Sequence, residues 1–120
     1  MSKKEKIDNI LNQLKSALPE LHDAIVASTD GLPIAQLNEG DTSARIAAMA
    51  ATAYGLGKRI STTNKLGELT ETVILGDKAY FIAYAVGDKA VLAVTLPSGS
   101  NLGLVRLEAQ DHANQLAEVL

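Results

Sequence analysis

The apolar residues of the chain fall into eight segments, and their spacing predicts three helices and five strands. Residues Lys3–Leu18 carry apolar side chains at intervals of three and four, which is the period of an amphipathic helix. Ser2 is placed to cap this helix at its N-terminus. The same period predicts a long second helix over residues 42–60 and a last helix over Leu102–Leu120.

Five shorter apolar runs lie between the helices and are typical of strands. Thr29-Asp30-Gly31 separates the first two, and the pairs Gly76-Asp77 and Gly87-Asp88 separate the last three. Glycine next to aspartate is typical of tight hairpin turns, because glycine accepts the left-handed backbone conformation. The predicted strands are Ala24–Ser28, Leu32–Leu37, Glu68–Leu75, Lys78–Val86 and Lys89–Leu96.

The order of the strands in the sheet follows from which of them suit an edge. Pro33 lacks an N–H group, so the second strand belongs at an edge. The third strand, Glu68–Leu75, is half polar and suits the other edge. Joining the two hairpin units through the apolar strands predicts the order 2-1-5-4-3. The expected fold class is an α/β (α+β) sandwich, αββαβββα, with helix 2 on one face of the antiparallel sheet and helices 1 and 3 on the other.

The predicted second helix is apolar on two sides of its helical wheel. We expect the stripe with the larger side chains to face the core of the protein: Ile46, Met49, Ala53, Leu56 and Ile60. The other stripe consists of the smallest side chains: Ala44, Ala48, Ala51 and Gly55. A small domain has little left to cover a second apolar stripe, so we interpret it as a surface for self-association. The alternative is an internal packing seam beneath a loop.

Composition and charge narrow the function classes. The 120 residues fit one domain, 1–120, with no cysteine and a net charge of −3. The mixed charges and only four aromatic residues give no reason to expect a nucleic acid partner. The longest apolar run, Ala79–Val86, is far shorter than the roughly 20 residues that span a bilayer. We therefore expect no membrane insertion.

No motif of the chain supports catalysis, and we predict that the protein is not an enzyme. Gly55-Leu56-Gly57-Lys58 differs from a phosphate loop, because Arg59 stands where serine or threonine is required and the segment lies late in a helix. The two histidines, His22 and His112, are expected to be surface residues rather than a catalytic or metal-binding pair. We predict no cofactor and no metal.

Arg45, Thr52 and Arg59 lie on one flank of the second helix, between its two apolar stripes. The simpler interpretation is a solvated stripe. The sharper hypothesis is that Arg45 and Arg59 border a surface that binds another protein, since arginine is enriched at such interfaces.

Three segments together resemble the Roadblock/LC7 family, and the resemblance covers roughly Ile7 to Leu120. The first is Ala24–Ala35, with its turn Ser-Thr-Asp-Gly-Leu-Pro-Ile-Ala. The second is the alanine-rich helix at residues 44–56, and the third is Asn-Leu-Gly-Leu-Val-Arg at Asn101–Arg106. Members of this family have a profilin-like architecture, which agrees with the predicted order of elements.

The resemblance implies a cytoplasmic, non-enzymatic dimer that binds and regulates a Ras-like small GTPase. It also implies that the second helices of two copies pack together while their third strands pair. With the small-residue stripe, this gives the following expected interface residues: Ala44, Ala48, Ala51, Gly55, Glu68, Thr70 and Thr72. An alternative that the resemblance leaves open is a scaffold or light-chain-like subunit of a signalling or motility complex without a GTPase. A ligand-sensing module is a third possibility, although the predicted core has few polar groups to orient a ligand.

Overall fold

A computed structural model describes residues Met1–Leu120 and contains the eight elements in the predicted order. The helices are α1 (Lys3–Ala17), α2 (Ser43–Thr63) and α3 (Leu102–Val119). The strands are β1 (Asp23–Ser28), β2 (Pro33–Gln36), β3 (Thr72–Leu75), β4 (Ala79–Val86) and β5 (Ala90–Pro97).

The five strands form one antiparallel sheet in the order β2-β1-β5-β4-β3, which confirms the predicted topology. The long strands β4 and β5 pair along their whole length from Ala79↔Pro97 to Val86↔Ala90. The two short strands, β2 and β3, lie at the edges. Pro33 in β2 therefore stands where its missing N–H group is tolerated.

The helices cover the two faces of the sheet unequally. Helices α1 and α3 pack large side chains against one face and close the main core there. Its largest fully buried members are Leu11, Leu14, Leu21, Ile82, Tyr84, Leu92, Leu96 and Leu116. Helix α2 alone covers the other face, over a smaller cluster that consists mainly of alanine: Ile25, Ala27, Ala47, Ala50, Ala83, Val91 and Ala93.

Two of the helices begin at well-made caps. The Ser2 hydroxyl accepts a hydrogen bond from the backbone N–H of Glu5, while the Glu5 carboxylate accepts one from the backbone N–H of Ser2. This reciprocal arrangement satisfies two of the backbone donors that a helix start leaves unpaired. At α3 the Asn101 side chain accepts from the N–H of Leu104. None of the three helices has the length and apolar character that crossing a membrane requires.

The predicted orientation of α2 is wrong. The residues that face the sheet are the small ones Ala47, Ala50, Gly57 and Ser61, whereas Met49, Leu56 and Ile60 of the predicted core stripe are about half exposed. The reason is distance. The backbone of α2 lies so close to the alanine-lined sheet that only small side chains fit between them.

The third strand is shorter than predicted, because it begins at Thr72 rather than Glu68. Gly67 and Lys65 adopt positive φ angles of 93° and 57°, which turn the chain after α2. Leu69 then packs beside Gly57 of α2 instead of joining the sheet. Glu68 and Thr70, two of the expected interface residues, therefore lie in an irregular segment before β3.

Two glycines of α2 give opposite expectations on substitution. An alanine Cβ at Gly57 would lie 2.9 Å from Leu69 Cδ2 and would collide with the Thr72 hydroxyl, whereas a Cβ at Gly55 would meet nothing within 4 Å. Overpacking costs about 1–3 kcal/mol, which exceeds the gain in helix propensity of about 1 kcal/mol. We expect Gly57→Ala to lower the free energy of unfolding by about 1–2 kcal/mol in urea titrations.

The matched variant Gly55→Ala should raise the same free energy by about 0.5–1 kcal/mol, because it gains helix propensity without a clash. Equal effects of the two substitutions would contradict the close contact described for Gly57.

Candidate interaction surface

Four large apolar side chains form a half-exposed surface on the α2 side of the sheet. We call this surface the α2–β3 patch: Met49, Leu56, Ile60 and Ile74, with exposed fractions between 47% and 55%. The first three lie along one side of α2, and Ile74 belongs to β3. Exposed large apolar side chains on the same side of a small domain make this side a candidate for association.

A groove beside Met49 extends the patch into the protein. It has a volume of about 270 Å³ and lies between α2 and the strands β1, β3, β4 and β5. Most of its lining is apolar: Ala24, Ile25, Ile46, Met49, Ala53, Ile74, Phe81 and Ala93. The carboxylate of Asp23, also at the groove, already accepts hydrogen bonds from the Gln36 side chain and the Asn38 backbone. The groove thus offers shape and apolar contact but few polar groups to orient a small ligand.

The edge strand β3 is apolar on both of its faces. Ile74 lies on the α2 side and Leu75 on the opposite side, and each is more than half exposed. An unpaired edge leaves backbone N–H and C=O groups free, and exposed apolar side chains on both faces favour pairing with another strand.

The expected interface residues are not brought together as one surface. Ala44 and Ala48 are exposed, and Ala51 and Gly55 are half-buried on the side of α2 away from the α2–β3 patch. The turn at Gly31 packs against this stripe, since a Cβ at Gly31 would lie 3.2 Å from Ala48 Cα. Part of the small-residue stripe is therefore a packing seam under the β1–β2 turn, which is the alternative that the sequence left open.

Thr72, another expected interface residue, has a structural contact within the chain. Its hydroxyl donates a hydrogen bond of 3.3 Å to the backbone carbonyl of Ala53, which ties the start of β3 to α2. The side chain is half-buried as a result.

All the charged residues of helix α2 are basic. Arg45, Lys58 and Arg59 are its charged residues, so the other 99 residues carry a net charge of −6 (8 basic against 14 acidic). Arg45, Thr52 and Arg59 are all exposed on the outer ridge of the helix, and neither arginine forms an ion pair in the chain. Arg45 and Arg59 are four helical turns apart, about 21 Å along the axis. Lys58 lies on the other flank, 6.0 Å from the ring centre of Tyr54.

An ion pair on the far face of the sheet holds the segment that leads into β3. The Arg106 Nε atom of α3 donates to both carboxylate oxygens of Glu71, at 2.9 and 2.8 Å. The hydrogen bond to Glu71 raises the pKa of the Arg106 guanidinium. Nearby Tyr84 is fully buried with no hydrogen-bond partner for its hydroxyl, and burial raises the pKa of this phenol well above 10.0.

The two histidines lie in different surroundings. His22 is exposed, as expected, but the expectation that His112 lies at the surface is wrong, because the amphipathic face of α3 turns it inward. The His112 Nδ1 donates to the Glu108 carbonyl oxygen at 2.7 Å, four residues earlier on α3. Glu108 and Asp111 lie close to the same ring, so these three residues are the one group that could approach a metal ion. The Nδ1 atom of His112 is already engaged by the backbone.

The chain matches the model of the Roadblock/LC7 domain over residues 6–96, so it belongs to that family. A relative of similar length is the uncharacterized protein MJ0714 of Methanocaldococcus jannaschii. It is 30% identical over 111 residues, which cover 92% of each protein. The resemblance stated from the sequence is confirmed.

Solved structures show the same fold at low sequence identity. The Roadblock/LC7 domain from Streptomyces avermitilis has a TM-score of 0.86 at 20% identity, over 92% of this chain and 94% of that one. MglB from Myxococcus xanthus has a TM-score of 0.84 at 20% identity, over 99% and 90%. A Schizosaccharomyces pombe profilin has a TM-score of 0.67 at 13% identity, over 93% and 97%, which confirms the profilin-like architecture.

The unpaired hydroxyl of Tyr84 yields a stability prediction. Tyr84→Phe removes a buried polar group that makes no hydrogen bond, so we expect the free energy of unfolding at neutral pH to stay unchanged or to rise by about 1 kcal/mol. Because burial raises the pKa of Tyr84 in the folded protein, the unfolded chain loses the phenol proton at a lower pH than the folded chain does, and the native chain loses stability as the pH rises beyond 10.

Urea titrations of both proteins between neutral and alkaline pH check this prediction. The native chain should lose more stability above pH 10 than Tyr84→Phe does. A large destabilisation by Tyr84→Phe at neutral pH would mean that the hydroxyl has a partner.

Proposed function

We propose that this chain forms a homodimer in the cytoplasm that acts as a non-enzymatic platform for a Ras-like small GTPase. The family membership supports this proposal, and the α2–β3 patch is the observation that carries it. In the proposed dimer the α2 helices of two copies pack together and their β3 strands pair. The sheet of five strands would then continue across the interface as one of ten.

The energetics favour an interface that includes both the helix and the strand. Burying a large apolar side chain contributes about 1.5–3 kcal/mol, so the four half-exposed residues of the patch in two copies contribute on the order of 6–12 kcal/mol. Association costs about 4–15 kcal/mol of lost freedom, so these residues alone are barely sufficient. Pairing of β3 with its copy adds backbone hydrogen bonds and covers Leu75 on the other face of the sheet.

The proposed dimer interface therefore centres on the large apolar residues of α2, and the small-residue stripe is the alternative interface. Leu56→Glu places a charge in the middle of the α2–β3 patch, and we expect it to weaken association by several kcal/mol. Sedimentation at micromolar concentration should give a dimer for the native chain and a monomer for Leu56→Glu.

Ala44→Glu is the matched control, because it puts the same charge on an exposed position of the same helix in the other stripe. A dimer is expected for this variant, since glutamate is also favourable in the first turn of a helix. If Ala44→Glu dissociated and Leu56→Glu did not, the interface would be Ala44, Ala48, Ala51 and Gly55 instead. A monomeric native chain would remove the dimer proposal altogether.

Arg45 and Arg59 are the residues that we propose for contact with the GTPase. They are exposed, have no ion-pair partner in the chain, and belong to the one helix without an acidic residue. They complement an acidic surface on a partner, and a two-fold dimer would present four such arginines on one side. Such a surface would bias the partner between its nucleotide-dependent conformations.

The double variant Arg45→Glu/Arg59→Glu should weaken binding to a GTPase from the same genome at least tenfold, because two favourable charge contacts become repulsive. Binding of the GTP-loaded and GDP-loaded forms is measured by calorimetry at low and high salt. Lys3→Glu is the control, because Lys3 is an exposed residue of α1 on the opposite face of the sheet. This variant should bind like the native chain.

The second candidate function is that of a scaffold or light-chain-like subunit without a GTPase. The apolar patch fits either function, whereas the unpaired arginines favour a partner with a strongly acidic face. If no Ras-like GTPase of the organism bound in either nucleotide state, and the chain instead co-purified within a larger complex, the scaffold function would replace the platform.

A further inference from the structure

The groove beside Met49 has a floor that crosses four strands of the sheet. Asp23 of β1 is in register with Thr95 of β5. Phe81 of β4 continues this row from Thr95, and Ile74 of β3 ends it. All four residues line the groove. Neighbouring strands are about 4.8 Å apart, so the row is about 14 Å long. The groove therefore runs from a polar end at Asp23 to an apolar end at Ile74.

Small residues create the space above this row. Ala93 lies two residues before Thr95 on β5, and Ala53 of α2 lines the groove from the helix side. Ile46 and Met49 complete the wall that α2 supplies. The volume of about 270 Å³ is just below the range of about 300–1,000 Å³ that is usual for drug-sized ligands. The groove therefore fits a small molecule, such as one with a single ring.

The polar end of the groove carries a negative charge that nothing in the chain neutralises. The Asp23 Oδ1 atom accepts hydrogen bonds from the backbone N–H groups of Ala24 and Asn38, at 2.9 and 3.1 Å. Its Oδ2 atom accepts one from the Gln36 side chain. All three donors are neutral, Asp23 forms no ion pair, and no lysine or arginine lines the groove. A carboxylate has about four acceptor positions, so Oδ2 can accept one more hydrogen bond.

The charge of Asp23 decides which class of ligand fits. An anion would be repelled, because the groove has no basic residue to bind it. A neutral hydrocarbon would cover the carboxylate without pairing it, which is unfavourable. An ammonium group would instead form a charge-assisted hydrogen bond at this end. The apolar body of the same molecule would contact the Phe81 ring and Met49 at the other end.

We propose that the groove binds a small primary amine with an apolar body. The ammonium group donates to Asp23 Oδ2, and the body lies over Phe81 toward Ile74. Thr95, opposite Asp23, offers a hydroxyl for a second hydrogen bond. The inference does not depend on the proposed function, because one copy of the chain supplies every lining residue. Met49 and Ile74 belong to the α2–β3 patch as well, so a dimer formed there would close the apolar end over the ligand.

The test uses the full chain and phenethylamine. Phenethyl alcohol and hydrocinnamate are the neutral and anionic probes with the same ring and nearly the same length. Binding is followed by NMR from the methyl resonances of Ile46, Met49 and Ile74 in the isotope-labelled protein. We expect saturable shifts of these methyl groups with phenethylamine. Binding of the other two probes should be at least tenfold weaker, because neither brings a positive charge to Asp23.

Two substitutions separate the charge from the shape of the groove. Asp23→Asn should weaken phenethylamine at least tenfold and leave phenethyl alcohol nearly unchanged, because it removes the charge and keeps an oxygen for the backbone donors. Ala53→Leu should also weaken phenethylamine at least tenfold, since the larger side chain fills the groove. Ala44→Leu is the matched control, because Ala44 is exposed on the same helix and does not line the groove.

The titration is repeated with Leu56→Glu, whose position does not line the groove. Saturable binding of phenethylamine is expected for this variant and for the native chain. Loss of the dimer and absence of the ligand site are therefore separate results.

Four outcomes would overturn the proposal. The first is the absence of saturable shifts, and the second is equal binding of phenethylamine and either other probe, a comparison that needs only the native chain. The third is an equal loss with Ala53→Leu and Ala44→Leu, which would show that the ligand binds outside the groove. The fourth is tighter binding of N-acetyl-lysine methylamide than of phenethylamine, because the groove would then take a lysine side chain of a partner protein.

Discussion

The close contact between α2 and the sheet is the constraint on which the rest of the structure depends. Ala47 and Ala50 are fully buried against a sheet face of alanine and valine, and Gly57 leaves no room for a methyl group. Since only small residues fit this contact, the larger apolar residues of the helix must lie to its side. The same packing that fixes α2 in place therefore creates the half-exposed Met49 and Leu56.

The helices cover the two faces of the sheet to different extents for this reason. On one face, α1 and α3 supply large side chains and bury the main core completely. On the other face a single helix covers the sheet and leaves a groove beside β3. Surplus apolar surface, an unpaired edge and the basic helix thus coincide on one side of the molecule. Most of the acidic residues and the second edge strand, β2, lie elsewhere.

Local sequence signals were sufficient for the architecture. Pro33 required an edge position for β2, the glycine–aspartate turns defined the meander β3-β4-β5, and the doubly apolar strands β4 and β5 required helices on both faces. The site was predicted less well. The helical wheel identified two apolar stripes on α2 but assigned the larger one to the core. A helical wheel shows only the direction and hydrophobicity of each side chain. It contains no information on the distance between the helix and the sheet. The predicted start of β3 was also wrong, because Leu69 packs beside Gly57 of α2 rather than joining the sheet.

The sequence by itself determined the family, the order of elements and the strand topology, because these follow from periodicity, turn chemistry and the residues that an edge tolerates. Only the tertiary structure decided which side of α2 is buried, that His112 is internal, and that Thr72 is bonded to Ala53. Those features depend on how closely particular atoms approach across elements that are distant in the chain. The hydrophobic pattern gives no distance between elements. The close approach of the α2 backbone to the sheet is such a distance, and it decides which side chains of α2 are buried.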